Sequence, residues 1–183
     1  MTYISRKCTG ILIGLLHARH VIPRQTLKVI VEALVMSIVR YCLSVYGSCG
    51  VTQLCRVQKI LNFCVRVVTD RRRYDHVSDA LQQLRWLSAG QLVDYHVVCA
   101  LARVIETGQP DSLYSTIGPR ADQRHAYETR QADLFTCPNI RTEAGRRRLC
   151  YRGVTQLNTM RVDPGEPGFG RTVRRLVRSV DTQ

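Results

Sequence analysis

Carboxylates are scarce in this sequence and lysines scarcer. Asp and Glu number 14 against 27 Lys and Arg in 183 residues, and only Lys7, Lys28 and Lys59 among the basic residues are lysine. Residues 1 to 70 hold just Glu32 and Asp70, and no two aspartates are adjacent anywhere. Nucleotidyl or phosphoryl transfer on two metal ions needs closely spaced carboxylates to hold those ions, so the sequence excludes that chemistry for this chain alone. Asp75 and Asp79 have helical i,i+4 spacing but lie beside Arg71, Arg72 and Arg73, where capping and charge balance account for them. Gly-rich phosphate loops and the GxSxG nucleophile elbow are missing too. Cys8, His17 and His20 form a C-x8-H-x2-H grouping without the CxxC that usually completes a structural zinc site. The expectation is no catalytic residue, no metal, no cofactor and no small-molecule substrate.

Addressing signals are equally thin. MTYISRKCTGILIGLLHARH has a short apolar stretch, but no small-residue cleavage site follows it, which gives the expectation of an intracellular protein, in nucleus or cytoplasm. Residues 27 to 47 approach membrane-spanning length. Glu32 and Arg40 interrupt them, at about 2.5–3.5 kcal/mol per charge at a bilayer centre, so a buried helix and no membrane partner are expected. In a reducing compartment the eight Cys are free thiols that pack as small hydrophobes, and no disulfide framework is implied.

Apolar content, in contrast, is ample. At 45% hydrophobic and 22% charged the chain is globular in character, and its length suits one domain or a compact domain with an appendage. Periodicity predicts helices over 4–20, from Pro23 to about Tyr46, and over 52–69, with Gly47, Ser48 and Gly50 as the second stop. Further helices are predicted over 78–86 and 90–107, with Ser78 and Ser88 as N-caps and Gly108 with Pro110 as the stop. Residues 118–139 show no period, and short helices return over 145–157 and 170–180. The expected fold class is mainly α: a helical bundle over 1–110, then a basic, loop-rich C-terminal extension with short helices over 111–183.

The third helix is the most informative. Leu54, Val57, Leu61, Cys64 and Val68 recur at steps of three and four and should be buried. Arg56, Lys59, Phe63 and Arg66 use the same steps on the other side, an aromatic ring within a basic ridge. A formal charge of +13, carried almost wholly by Arg, points to a polyanion, because the guanidinium fork grips phosphate bidentately and stacks on bases. Arg71, Arg72, Arg73 and Arg130 extend the basic set. The densest stretch is RTEAGRRRLCYRG, with Arg141, Arg146, Arg147, Arg148 and Arg152 opposed by Glu143 alone. Phe63 and Tyr151 are the candidate stacking rings. A solvated helix face and a nuclear import signal are the competing accounts of the run.

The order of segments is specific: ISRKCTGILIGLLHARHVIPRQTLKVIVEALVMSIVRYCLSVYG, LCRVQKILNFCVRVV, LQQLRWLS, ETGQPDSLY and ETRQADLFTCPNIRTEAGRRRLCYRGVTQLN. Over nearly the whole chain this series resembles the region downstream of the reverse transcriptase palm in jockey-like non-LTR retrotransposons. The resemblance implies a thumb and C-terminal extension that grips RNA, DNA or an RNA/DNA hybrid beside a palm domain. The family's Tyr/Phe-x-Asp-Asp motif would precede residue 1. Leu157 stands where the family often has Trp before Asn158, and Thr159-Met160 where Leu-Pro is common. The implied function is a non-catalytic, nucleic-acid-binding part of an RNA-directed DNA polymerase. The alternatives are a structural or protein-interaction helical module, or a functionless translated relic of the element.

Overall fold

The computed structural model describes residues 2–117, 134–137 and 139–180. It is mainly α, as the periodicity predicts, with 72% of the described residues helical and no strand among them. The helices are α1 (Thr2–Ala18), α2 (Arg24–Val31), a π-helical turn (Glu32–Met36), α3 (Ser37–Arg40), α4 (Leu43–Tyr46), α5 (Val51–Thr69), α6 (Ser78–Gln83), α7 (Ala89–Thr107), α8 (Asp111–Ile117), α9 (Glu143–Arg146), α10 (Leu149–Met160) and α11 (Phe169–Val180). No described helix is long and apolar enough to cross a membrane. The chain divides into two compact units, one of residues 1–43 with 49–90, the other of 44–48 with 91–183.

In the first unit α1 and α2 pack on α5. The predicted stripe of α5 is inward-facing: Val57, Leu61, Cys64 and Val68 are buried, joined by Ile60, Val65 and Val67, while Leu54, one turn from the N-terminus, is only half-buried. Burial raises the thiol pKa of Cys8, and pushes that of Cys64 up to about 12, so both behave as apolar packing groups. All eight cysteines are free thiols.

The long second helix differs from expectation. It runs through the π-helical turn and ends at Arg40, not near Tyr46, because Tyr41 leaves the helix with ψ 120 and Cys42 is left-handed at φ 53. No glycine or proline marks this break; it accompanies the burial of Leu43, with Tyr41 left exposed. Glu32 opens the π-helical turn, and its Oε1 accepts a 2.7 Å hydrogen bond from the Nε1–H of the buried Trp86. That contact explains why an acid sits in an apolar helix: it satisfies the one polar atom of the indole. Ser78 is the first residue of α6 and not its cap, which is Val77. At the start of α7 the Ala89 N–H donates to Gln58 Oε1 at 2.7 Å, meeting one of the donors a helix start leaves open. Gly108 ends α7 as predicted, at φ 67, with its N–H on the Val104 carbonyl.

The second unit is built on the body of α7. Val98, Leu101 and Val104 form one core with Ile117 of α8, Val154 and Leu157 of α10, and Val173 and Val177 of α11. Gly153 lets α10 lie close on α7: a Cβ there would come 2.8 Å from Leu101 Cδ2 and 3.2 Å from Val97 Cγ1. Asn158 holds an otherwise irregular segment against α10, accepting from the Phe135 N–H at 3.0 Å and donating to its carbonyl at 2.9 Å.

Candidate nucleic-acid interface

The run that raises the functional question folds as two helices meeting at a joint. Thr142 caps α9, its hydroxyl accepting from the Gly145 N–H at 3.1 Å. Gly145 is buried, and a Cβ there would collide with Ile140 Cγ2, so the Thr-x-x-Gly spacing is a local packing requirement. Arg146 is the last residue of α9, Arg147 its C-cap and Arg148 the N-cap of α10. Three consecutive arginines therefore occupy one joint between helices. Arg148 makes no side-chain cap bond, so the open N–H groups of the first turn of α10 add partial positive charge beside the guanidinium groups.

Electrostatic opposition at this joint is slight. Arg146 and Glu143 lie 3.4 Å apart with both side chains exposed, a geometry worth about 0–1 kcal/mol and screened by salt. Arg147 is half-buried and its Nε donates to the Glu143 carbonyl at 3.3 Å, which leaves the terminal nitrogens outside that bond. Arg141 and Arg148 are exposed, and Tyr151 is half-buried in the first turn of α10. Arg152 behaves differently from its neighbours. Its Nε pairs with Asp94 of α7 at 2.6 Å, both side chains largely covered, so it ties α10 to α7.

The basic residues of the first unit also divide by what they touch. Arg56 and Lys59 are exposed; Arg56 reaches only its neighbour Gln53, at 3.3 Å, and neither meets a carboxylate among the described residues. Phe63 is half-buried and shares a groove between α1 and α5 with Ser5, Thr9, Arg56, Lys59 and Ile60. Arg66 lies on the same ridge but is half-buried and donates to the Asp75 carbonyl at 3.2 Å, so it braces the following loop. Arg71 is held by Asp79 at 2.7 Å and by the His76 carbonyl, and the guanidinium in turn holds the Asp79 carboxyl down at about 2. Arg72 and Arg73 remain exposed, Arg73 stacked 5.8 Å from the Tyr74 ring. Arg130 lies outside the described residues.

The helix expected over 170–180 is present as α11, but its arginine face is not among the basic sites expected from the sequence. Val173 and Val177 are buried one turn apart, and Arg171 and Arg175 are exposed one turn apart on the outer side, with Arg174 and Arg178 half-buried between. A helical projection of FGRTVRRLVRSV carries that signal, two valines at i,i+4 against four arginines. Among the described residues no three His, Cys, Asp or Glu side chains come together as a metal site would require. Both units thus present arginine-rich helical surfaces, and no protein-family model, curated protein or solved structure matches the chain.

Proposed function

We propose that this chain is a nucleic-acid-binding helical segment of the kind that follows the reverse transcriptase palm in jockey-like non-LTR retrotransposons, holding RNA or an RNA/DNA hybrid by its phosphates. The observation that carries the reading is the α9–α10 joint, where Arg146, Arg147 and Arg148 occupy three consecutive backbone positions and, among the described residues, only Glu143 pairs with one of them. Like charges so placed repel unless counter-charge is supplied, and phosphates supply it while releasing condensed counterions. Contacts of this type position a strand without reading its sequence, and RNA duplexes are recognised mainly through backbone and shape. The chain by itself carries no polymerase chemistry in this reading, since its carboxylates are dispersed along the sequence and several are already partnered: Glu32 by Trp86, Asp94 by Arg152, Asp79 by Arg71.

Binding of a short RNA/DNA hybrid across a salt series tests this. Replacing Arg146, Arg147 and Arg148 by Ala should flatten the slope of log affinity against log salt by about two to three, for all sequences alike. An unchanged slope, with nuclear accumulation lost in cells, would instead make the run an import signal. The family reading has a separate check, a Tyr/Phe-x-Asp-Asp motif encoded upstream in the same frame.

A second reading, a protein-interaction module, draws on the exposed apolar residues of the first unit. Val29 of α2 and Leu34 of the π-helical turn are 60% and 48% exposed, with Ala33 exposed between them. Co-purification of a palm domain with the chain, lost on Val29→Ser with Leu34→Ser, is the outcome that reading expects.

A further inference from the structure

The α1–α5 groove has a composition that core packing does not account for. Along α5 the sealed face is already supplied by Val57, Leu61, Cys64 and Val68, yet Phe63 stands one step off it, half-buried, with its ring lining an open groove. Ile60, buried, gives the groove an apolar floor beside that ring. Arg56 and Lys59 reach it from the exposed side of α5, seven and four residues before Phe63 and so on the same side of the helix. From α1 come two hydroxyls, Ser5 and Thr9, one turn apart. Among the described residues no carboxylate lines it, and its volume is about 440 Å³. That falls within the roughly 300–1,000 Å³ of small-ligand sites.

We infer that this groove takes one unstacked base of a single-stranded RNA or DNA, the base lying against Phe63 and Ile60 and its flanking phosphates on Arg56 and Lys59. Each lining group has a matching part on that occupant. A flat apolar ring face meets another, two cations meet successive backbone phosphates, and the α1 hydroxyls can donate to or accept from sugar and base edges. An acidic peptide would satisfy the cations but offers no planar apolar face, and its hydrated carboxylates would lie over Ile60 and Phe63 at a desolvation cost. Duplexes keep their base faces stacked and hidden, so the groove selects single strands or frayed ends. The inference rests on the nucleic-acid reading of the chain, but on residues of the first unit, whereas the arginine joint belongs to the second.

The test uses the full chain and a fluorescein-labelled oligouridylate, compared with a blunt RNA/DNA hybrid by anisotropy. Phe63→Leu keeps an apolar side chain and removes the ring; it should weaken oligouridylate binding about 5- to 150-fold, the loss of stacking on one base, and lower the ratio of single-strand to hybrid affinity. Phe63→Tyr should retain wild-type affinity. Arg56→Gln with Lys59→Gln, both on exposed positions, should reduce the single-strand salt slope by about 1.4, from about 0.7 per phosphate. On the wild-type chain, photo-cross-linking of a 4-thiouridine oligonucleotide should place the adduct on the α5 peptide, a readout that does not depend on any variant folding. Equal binding by wild type and Phe63→Leu, or an adduct confined to other segments, overturns the inference. So does displacement of the oligouridylate by oligoglutamate at the same concentration as by unlabelled oligouridylate, which would assign the groove to an acidic protein segment. A Phe63 effect without an effect of the Arg146, Arg147 and Arg148 triple variant leaves the groove standing and removes the joint; the converse removes the groove alone.

Discussion

One substitution, Gly to Ala, should change stability in opposite directions at two helical positions. Gly10 lies inside α1 and Gly153 inside α10, so each replacement gains helix propensity, about 0.8–1.0 kcal/mol, by restricting the unfolded backbone. At Gly10 nothing lies within 4 Å of the added Cβ and the position is exposed, so the gain stands whole. At Gly153 the same Cβ meets Leu101 Cδ2 at 2.8 Å and Val97 Cγ1 at 3.2 Å. Leu101 is fully buried in the core of the second unit, so its methyl has no solvent to swing into. Overpacking of that kind costs about 1–3 kcal/mol, which leaves Gly153→Ala destabilising by roughly 0–2 kcal/mol net of propensity. Urea titration followed by far-UV circular dichroism reads both units, and the fluorescence of Trp86, the single tryptophan, reads the first unit alone. Gly10→Ala should raise the midpoint in both signals, and Gly153→Ala should lower only the circular dichroism midpoint. If Gly153→Ala proves as stabilising as Gly10→Ala, the close approach of α10 to α7 is wrong.

Leu61→Ala, at a site 1% exposed, should cost about 2–5 kcal/mol, while Arg66→Ala should cost about 0.5–1.5 kcal/mol for its bond to the Asp75 carbonyl; thermal melts of both separate core from brace. Trp86→Phe leaves the Glu32 carboxylate without its donor and should cost about 1–3 kcal/mol, much of it recovered by Glu32→Leu in the same chain, because the cost lies in the carboxylate left unpaired. The Asp79 carboxyl is held near 2 in the folded chain by the Arg71 hydrogen bonds, below its ordinary value. Its stabilising contribution is therefore present above that ordinary value and is lost as pH falls toward about 2, and the Asp79→Asn chain should lack this part of the acid transition in a melting-temperature titration.

Much of the α architecture is written in local sequence. The three- and four-residue steps of Val57, Leu61, Cys64 and Val68 place the buried face of α5, and Gly108 stops α7 where a residue must turn left-handed. Arginine excess is legible as well, because net charge is a property of composition. Both follow from interactions within a few residues, which a period or a count captures. What the sequence leaves open is which arginine is available to a partner. Arg148 and Arg152 stand four apart in one basic run, yet Arg152 is committed to Asp94, 58 residues away, and Arg148 is exposed. Likewise Glu32 reads as an interruption of an apolar helix until Trp86, 54 residues on, supplies its donor. Gly145 and Gly153 look like ordinary weak helix residues, and only Ile140 and Leu101 beside them make them necessary. The groove under Phe63 needs Ser5 and Thr9 from another helix. Periodicity assigns each side chain to a face of its own helix, but which helix that face meets, and whether a carboxylate waits there, is fixed by long-range packing.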